Sequence, residues 1–320
     1  MTGKSIAKTH GGMKKSQEIL LGTAQHEGLA DQMKTAQEMS VFAIGTIAAA
    51  TCLVSCARPP GGVVAGTALI KGIVQDLSGN TIDPGELHNL IPPRMCPGHF
   101  DVRPADVEAA AASKLVIIHD WQQNMTAVAG LLQAAHVSDE RVSVLQIHGH
   151  WMTPRAYEQA VGSVARMLSE ADPANADTYA ARAKTRQHEI RAFSEQLGTR
   201  LNAAEISRVK VVCSDKQAGF VRWAGFDVVT EFGRPEDMSV ADVEDLIRNT
   251  RESGAKLIVD NLQSGSTQAG SAIARDAGVI HVVLSNFPGG FEDTETWEKA
   301  VEKNIDLLLD AAQRARGRDG

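Results

Sequence analysis

The sequence contains few aromatic residues, few cysteines and no run of charge of one sign. Phe, Trp and Tyr make up 4% of its 320 residues, and no block of Lys and Arg interleaves with them. Nucleic-acid binding therefore has no electrostatic footprint, and the net charge of −7 is spread along the chain. Cys52 and Cys56 lie in or at the end of an apolar N-terminal run, while Cys96 and Cys213 stand in unrelated contexts. Such a set does not make a disulfide framework. There is no Gly-x-Ser-x-Gly elbow and no glycine-rich phosphate loop of the Walker or dinucleotide kind. The familiar marks of α/β-hydrolases and nucleotide-dependent enzymes are thus missing. Short repeats and low-complexity tracts are also missing. What remains is ordinary globular composition, 43% hydrophobic and 22% charged, in a chain long enough for two cores or one large one.

The uncharged run Ser40–Ser55 is about as long as a secretory h-region and short for a membrane span. It ends in Leu53-Val54-Ser55-Cys56, which resembles a bacterial lipobox. The resemblance implies acylation of Cys56 and a periplasmic or cell-surface protein held to a membrane by lipid. Ala57–Gly62 reads as a flexible tether. Residues 1–32 are polar and do not fit a signal n-region, so Met33 is an alternative start. The competing reading of the apolar run is a buried helix.

Beyond the tether, short β-rich runs alternate with amphipathic stretches, which predicts βα units and mainly parallel sheets. The strands are expected at Val63–Ala65, Leu115–Ile118, Val142–Ile147, Val209–Cys213, Leu257–Val259 and His281–Leu284. Helices are expected at Val240–Ser253 and Thr267–Ala277, with Gly254 and Gly278 at their ends. Thr153-Pro154 opens a helix to about Leu168. Asp172-Pro173 then opens a longer one, whose positions Tyr179, Ala183, Ile190, Phe193, Leu197 and Leu201 recur at helical spacing. The predicted architecture is α/β, two lobes joined by a long backbone helix. Residues 57–153 form the first lobe, 154–205 the linking helices and 206–320 the second lobe, after an extension and signal segment over 1–56.

In open parallel sheets, ligands bind outside the carboxyl ends of the strands. The residues following the expected strands are His119-Asp120-Trp121, His148-Gly149-His150-Trp151, Cys213-Ser214-Asp215-Lys216, Asp260-Asn261-Leu262-Gln263 and Ser285-Asn286-Phe287. A further loop, Pro92–Asp101, carries Cys96 and His99. Imidazole and carboxylate together suit zinc, manganese or ferrous iron, and thiolate softer metals. In an extended segment His148 and His150 point the same way, and Gly149 lets the chain bend around an ion. Cys213, at the end of an apolar strand, reads as an inert buried thiol. Trp121 and Trp151 just past strand ends, with Trp223 in a following helix, keep open a larger, flat ligand.

These segments resemble the zinc- and manganese-type solute-binding proteins of bacterial ABC importers. Pro97-Gly-His-Phe-Asp-Val-Arg-Pro-Ala-Asp106 is similar to the family's Pro-His stretch that opens a helix. Gly149-His150-Trp151-Met-Thr-Pro154 resembles its His-x-Trp segment, and Asp172-Pro-Ala-Asn-Ala-Asp-Thr-Tyr179 the start of its backbone helix. Phe220–Gly225 is similar to its aromatic helix end. The family's ligand positions fall in register on Gly98, Gly149, near Ser214 and near Ser285, so the ligands themselves do not carry over.

Two readings of the site follow. In the first it is rebuilt from His99, His148 or His150, Asp215 and Asp260, with Cys96, His119, Trp121, Trp151, Ser214, Asn261 and Ser285 as further cleft residues. In the second the bare-ion site is lost and the cleft takes a metal chelate, corrinoid or tetrapyrrole. The resemblance implies a transported divalent metal, zinc or manganese, with an ABC permease as partner, no catalytic cofactor and no enzymatic activity. A hydrolase or an adhesin on the same scaffold are the rival classes. Histidine ligands imply that affinity falls below about pH 6.

Overall fold

A computed structural model describes residues 61–234, 237–264 and 267–319 of the chain. The apolar run, the lipobox and Cys56 lie outside the described residues. Among the described residues no helix is long and apolar enough to cross a membrane.

The first lobe runs β1 (Gly62–Thr67), α1 (Ala68–Ser78), β2 (Leu87–Ile91), α2 (Pro104–Ala112), β3 (Ser113–His119), α3 (Thr126–Ala134) and β4 (Val142–Leu145). Two helices follow, α4 (Pro154–Ala171) and α5 (Ala176–Ala203). The second lobe runs β5 (Lys210–Ser214), α6 (Ala218–Trp223), β6 (Asp227–Phe232), α7 (Val240–Glu252), β7 (Leu257–Asn261), α8 (Gln268–Ala277), β8 (Ile280–Leu284) and α9 (Trp297–Asp319).

Each lobe is built on a four-stranded parallel sheet, ordered β2-β1-β3-β4 and β6-β5-β7-β8, so the two halves share one topology. The strand order reverses between β1 and β3 in the first sheet and between β5 and β7 in the second. These reversals open crevices at the carboxyl ends of the strands.

The central strands form because they are apolar on both faces. Val63, Val64, Ala65, Leu115, Val116, Ile117 and Ile118 are all buried, as parallel strands covered by helices require. The chain then turns into helices by local capping: the Thr67 hydroxyl accepts from the Ile70 amide in α1, and Ser239 and Asp242 form a reciprocal capping box at α7. Gly278 stops α8 at φ 80°, a conformation that favours glycine.

The expected strands and the helical backbone are present, with three differences. β4 leaves the ladder at Leu145, where its partner β3 ends at His119, so Gln146 and Ile147 are not strand. β2 and β6 had no sequence signal. β2 carries the polar pair His88 and Asn89, and β6 carries Asp227, Thr230 and Glu231, so neither reads as an apolar run. Thr153 stands at the N-cap of α4, but its hydroxyl donates to the His150 carbonyl, 2.7 Å away, instead of capping the helix.

The backbone helix α5 has 28 residues and buries Tyr179, Ala183, Ile190, Leu197 and Leu201 on one face. At 1.5 Å per residue it is about 42 Å long. One apolar core runs from the inner face of the first sheet through α4 and α5 into the second sheet and α9. Smaller cores lie on the outer face of each sheet.

Candidate functional site

The two crevices are marked by residues that close them. In the first lobe, Thr67 ends β1 and His119 ends β3. The Thr67 hydroxyl and His119 Nε2 lie 2.9 Å apart, and Gln122 accepts from the His119 amide. Gly66 permits this, because a Cβ there would sit 2.2 Å from Gln122 Oε1. In the second lobe, Gln217 follows β5. Its Nε2 donates to Asn261 Oδ1, at the end of β7, and to Asn286 Oδ1, beyond β8, at 3.1 and 3.0 Å. Gln263 donates to Ser285 Oγ at 3.0 Å and accepts from the Asn286 amide, while Asn304 of α9 clamps the Ser285 backbone.

The lobes meet across these strand ends. His150 Nδ1 accepts from the Met152 amide, which leaves Nε2 as the protonated nitrogen. Nε2 stands 2.9 Å from the Lys216 carbonyl and 3.1 Å from Asn286 Oδ1. The Trp151 indole donates to the Asn286 carbonyl at 2.7 Å, and Gln263 donates to the Pro93 carbonyl at 2.7 Å.

Aromatic rings fill the space between. His119 stacks on Trp121 at 5.4 Å, and Trp121 lies 6.4 Å from Trp151. Trp151 faces Phe287 of the other lobe at 5.9 Å with only 11° between the planes, and His150 contacts Phe220. Two buried polar atoms in this region have no partner, Trp121 Nε1 and Gln217 Oε1.

Burial holds both cleft imidazoles neutral. It lowers His119 to about 3 and, against the opposing hydrogen bonds to Lys216 and Asn286, lowers His150 to about 4. The protonation expected near pH 6 is moved well below it.

The sequence-expected site residues divide accordingly. His119, Trp121, His150, Trp151, Ser285 and Asn261 are brought together at the strand ends. Ser214 is buried beside them, with its hydroxyl 3.4 Å from the Lys216 amide. His99 lies exposed in the short turn Pro97–His99, in the first-lobe loop that meets the second lobe, and Cys96 is buried at the start of that turn.

Three expected metal ligands stand apart. His148 is exposed and shares a surface groove with Gln146, Gln159 and Arg166 on α4, because the chain leaves β4 early. Asp215 is exposed and paired with Lys216 at 2.7 Å. Asp260 is fully buried; its carboxylate caps the Asn261 amide and sits 3.4 Å from His281, packed against Gly270 of α8. Among the described residues no three His, Cys, Asp or Glu side chains are grouped to hold a metal ion. The convergence of His99, His148, His150, Asp215 and Asp260 expected from the sequence is therefore not found in this conformation. Cys213 is buried and its thiol is pushed up by burial, as an inert thiol should be.

Residues 63–311 match the family described as zinc-uptake complex component A, periplasmic (ZnuA). The chain belongs to the ZnuA family. This is a family of periplasmic metal-binding solute-binding proteins. Solved structures share the ZnuA fold at low identity. A crystal structure of ZnuA superposes with a TM-score of 0.64 at 16% identity, covering 78% of this chain and 98% of that one. The periplasmic zinc-binding protein TroA of Treponema pallidum gives 0.66 at 17%, covering 79% and 99%. The nickel complex of FpvC from P. aeruginosa gives 0.62 at 19%, covering 79% and 97%. Among curated proteins none matches the sequence significantly.

Within the ZnuA fold, Gly98 occupies a special place in this chain. A Cβ at Gly98 would lie 2.9 Å from Nη1 of Arg234, so a guanidinium from beyond β6 takes the space where a longer side chain would stand. Gln217, Gln263, Asn286 and Arg234 were not picked out from the sequence. Gln263 and Asn286 do follow expected strands, but carboxamides carry neither the charge nor the titration that marks a ligand. Arg234 follows an edge strand that had no signal.

Proposed function

We propose that the chain is the extracytoplasmic solute-binding component of an ABC importer, lipid-anchored through Cys56, and that it takes a metal cargo between its two lobes. One observation carries this reading. The loops beyond the carboxyl ends of the strands in the two lobes are joined directly, His150 and Trp151 of the first lobe to Lys216 and Asn286 of the second. A cargo held there touches both lobes, so binding and lobe closure are one event, which is how a permease tells loaded from empty protein. Closure also buries the cargo's charge, and His150 Nε2, which donates across the cleft to Lys216 and Asn286, is the nitrogen that meets the cargo when the lobes part.

His99 and His150 are the side chains we assign to contact the cargo, with Trp121 and Trp151 as the wall. Elemental analysis and an absorption spectrum of the chain isolated from membranes test this. About one equivalent of metal per chain is expected, and His99→Ala combined with His150→Ala should reduce it at least tenfold, roughly 1.4 kcal/mol or more of binding free energy. Unchanged metal content in the folded double variant would remove the assignment.

A further inference from the structure

We propose that the cargo enters the cleft as an anionic metal chelate bearing planar rings, and not as a bare divalent ion. This rests on the reading that the cleft receives a metal. Three observations lead to it.

The first is the donor set. A bare ion stripped of water needs three or four ligands, some of them anionic. The described residues offer no group of three, and Asp215 and Asp260 are engaged elsewhere. A metal that brings its own ligands does not need them.

The second is the sign of the charge. Arg234 stands against Gly98, one residue from His99, where the loops of the two lobes meet. It has no ion-pair partner among the described residues. A guanidinium repels a bare dication and binds oxyanions through paired, charge-assisted hydrogen bonds.

The third is the lining. Trp151 and Phe287 come from opposite lobes and are nearly parallel, with ring centroids 5.9 Å apart and 11° between the planes, and Trp121 and His119 extend the same slab. When the lobes part, a flat ring can replace the contact each makes with the other, keeping the stacking on both faces. The floor is neutral and hydrogen-bonding: Gln217, Asn261, Gln263 and Asn286 are all buried carboxamides, and Gln217 Oε1 and Trp121 Nε1 are an acceptor and a donor without partners. Rings against the slab, oxyanions on Arg234 and polar edges on the carboxamides satisfy every one of these groups. A hydrated ion satisfies none of the aromatic ones.

The test titrates the full chain with three probes, followed by tryptophan fluorescence and calorimetry: the ferric complex of 2,3-dihydroxybenzoate, zinc ion alone, and 2,3-dihydroxybenzoate alone. The ferric complex is expected to bind at least about 100-fold tighter than either of the others. Arg234→Gln should weaken it about tenfold and leave any zinc binding unchanged. Tighter binding of zinc ion than of the complex would overturn the chelate proposal and leave the metal-cargo reading standing. Equal affinity for the free acid and the complex, or no effect of Arg234→Gln, would also overturn it. Failure of both metal forms to bind the folded chain would end the metal-cargo reading with it.

Discussion

At His150 both ring nitrogens are already used, one accepting from the Met152 amide and the other donating across the cleft. Protonation would cost the first of these bonds. Because burial lowers His150 to about 4 and His119 to about 3 from an ordinary 6.5, the folded chain stays neutral at these sites where the unfolded chain takes up protons. Their contribution to stability is complete above about pH 6.5 and is lost as the pH falls toward 4. Urea midpoints measured between pH 7 and 4 should decline across this window, and His150→Gln should flatten the decline. An equal slope in the variant would show that His150 does not titrate in this way.

The same residues show what was legible. Trp121, His150 and Trp151 stand out in the sequence because imidazole and indole just past a strand end are unusual, and the structure places all three at the strand ends. Asp260 was misplaced because a carboxylate after a strand looks the same whether it faces the cleft or, as here, caps Asn261 under α8. Of the carboxamides only Asn261 stands out in the sequence; Gln217, Gln263 and Asn286 do not, because Gln and Asn are common in loops and only their mutual hydrogen bonds mark them out.

At the scale of elements, α5 does more than space the lobes. Midway along it, Arg186 reaches Asp76 of α1 at 2.8 Å, Glu298 of α9 at 2.5 Å and its own neighbour Glu189 at 3.3 Å, and its guanidinium lies 5.7 Å from the Tyr157 ring. Tyr157 in turn stacks on Trp297 at 4.3 Å. The site lines a cavity of about 600 Å³ away from the strand ends. One guanidinium thus ties an element of each lobe to the backbone helix. Burial, and then the charges of Glu298 and Glu189, raise the Asp76 carboxyl against the pull of Arg186, so removing Arg186 leaves that charge poorly compensated. Arg186→Met should cost about 1–3 kcal/mol in urea unfolding. Adding Asp76→Asn should cost clearly less than the two single losses together, as in a coupled network. Strict additivity would show that the three pairs act independently.

Helical spacing exposes α5 in the sequence, because apolar or small residues recur at helical steps from Tyr179 to Leu201, with one polar turn at Arg186 and Gln187. The ion pairs could not be read there. Arg186 looks like any residue on a solvated face until α1 and α9 are folded against it. β2 and β6 escape because polar residues, His88 and Asn89 in one and Asp227, Thr230 and Glu231 in the other, interrupt any apolar run.

Over the whole molecule, two lobes of identical strand order share a single core that passes through α4 and α5, so they do not move as freely tethered bodies. That core continues to the strand ends, where Phe287 belongs to it and Trp121 and Trp151 pack against it, and there the lobes are joined by the Trp151–Phe287 ring contact and the bond from the Trp151 indole to the Asn286 carbonyl. Anomalous diffraction at the metal edge, from crystals of the cargo-loaded chain, locates the metal directly. The account predicts one strong peak between the Pro97–His99 turn and the Gln217–Asn286 network, beside His150. A peak at His148 on the surface or in the cavity around Arg186, or a loaded chain with nothing between its lobes, would contradict it.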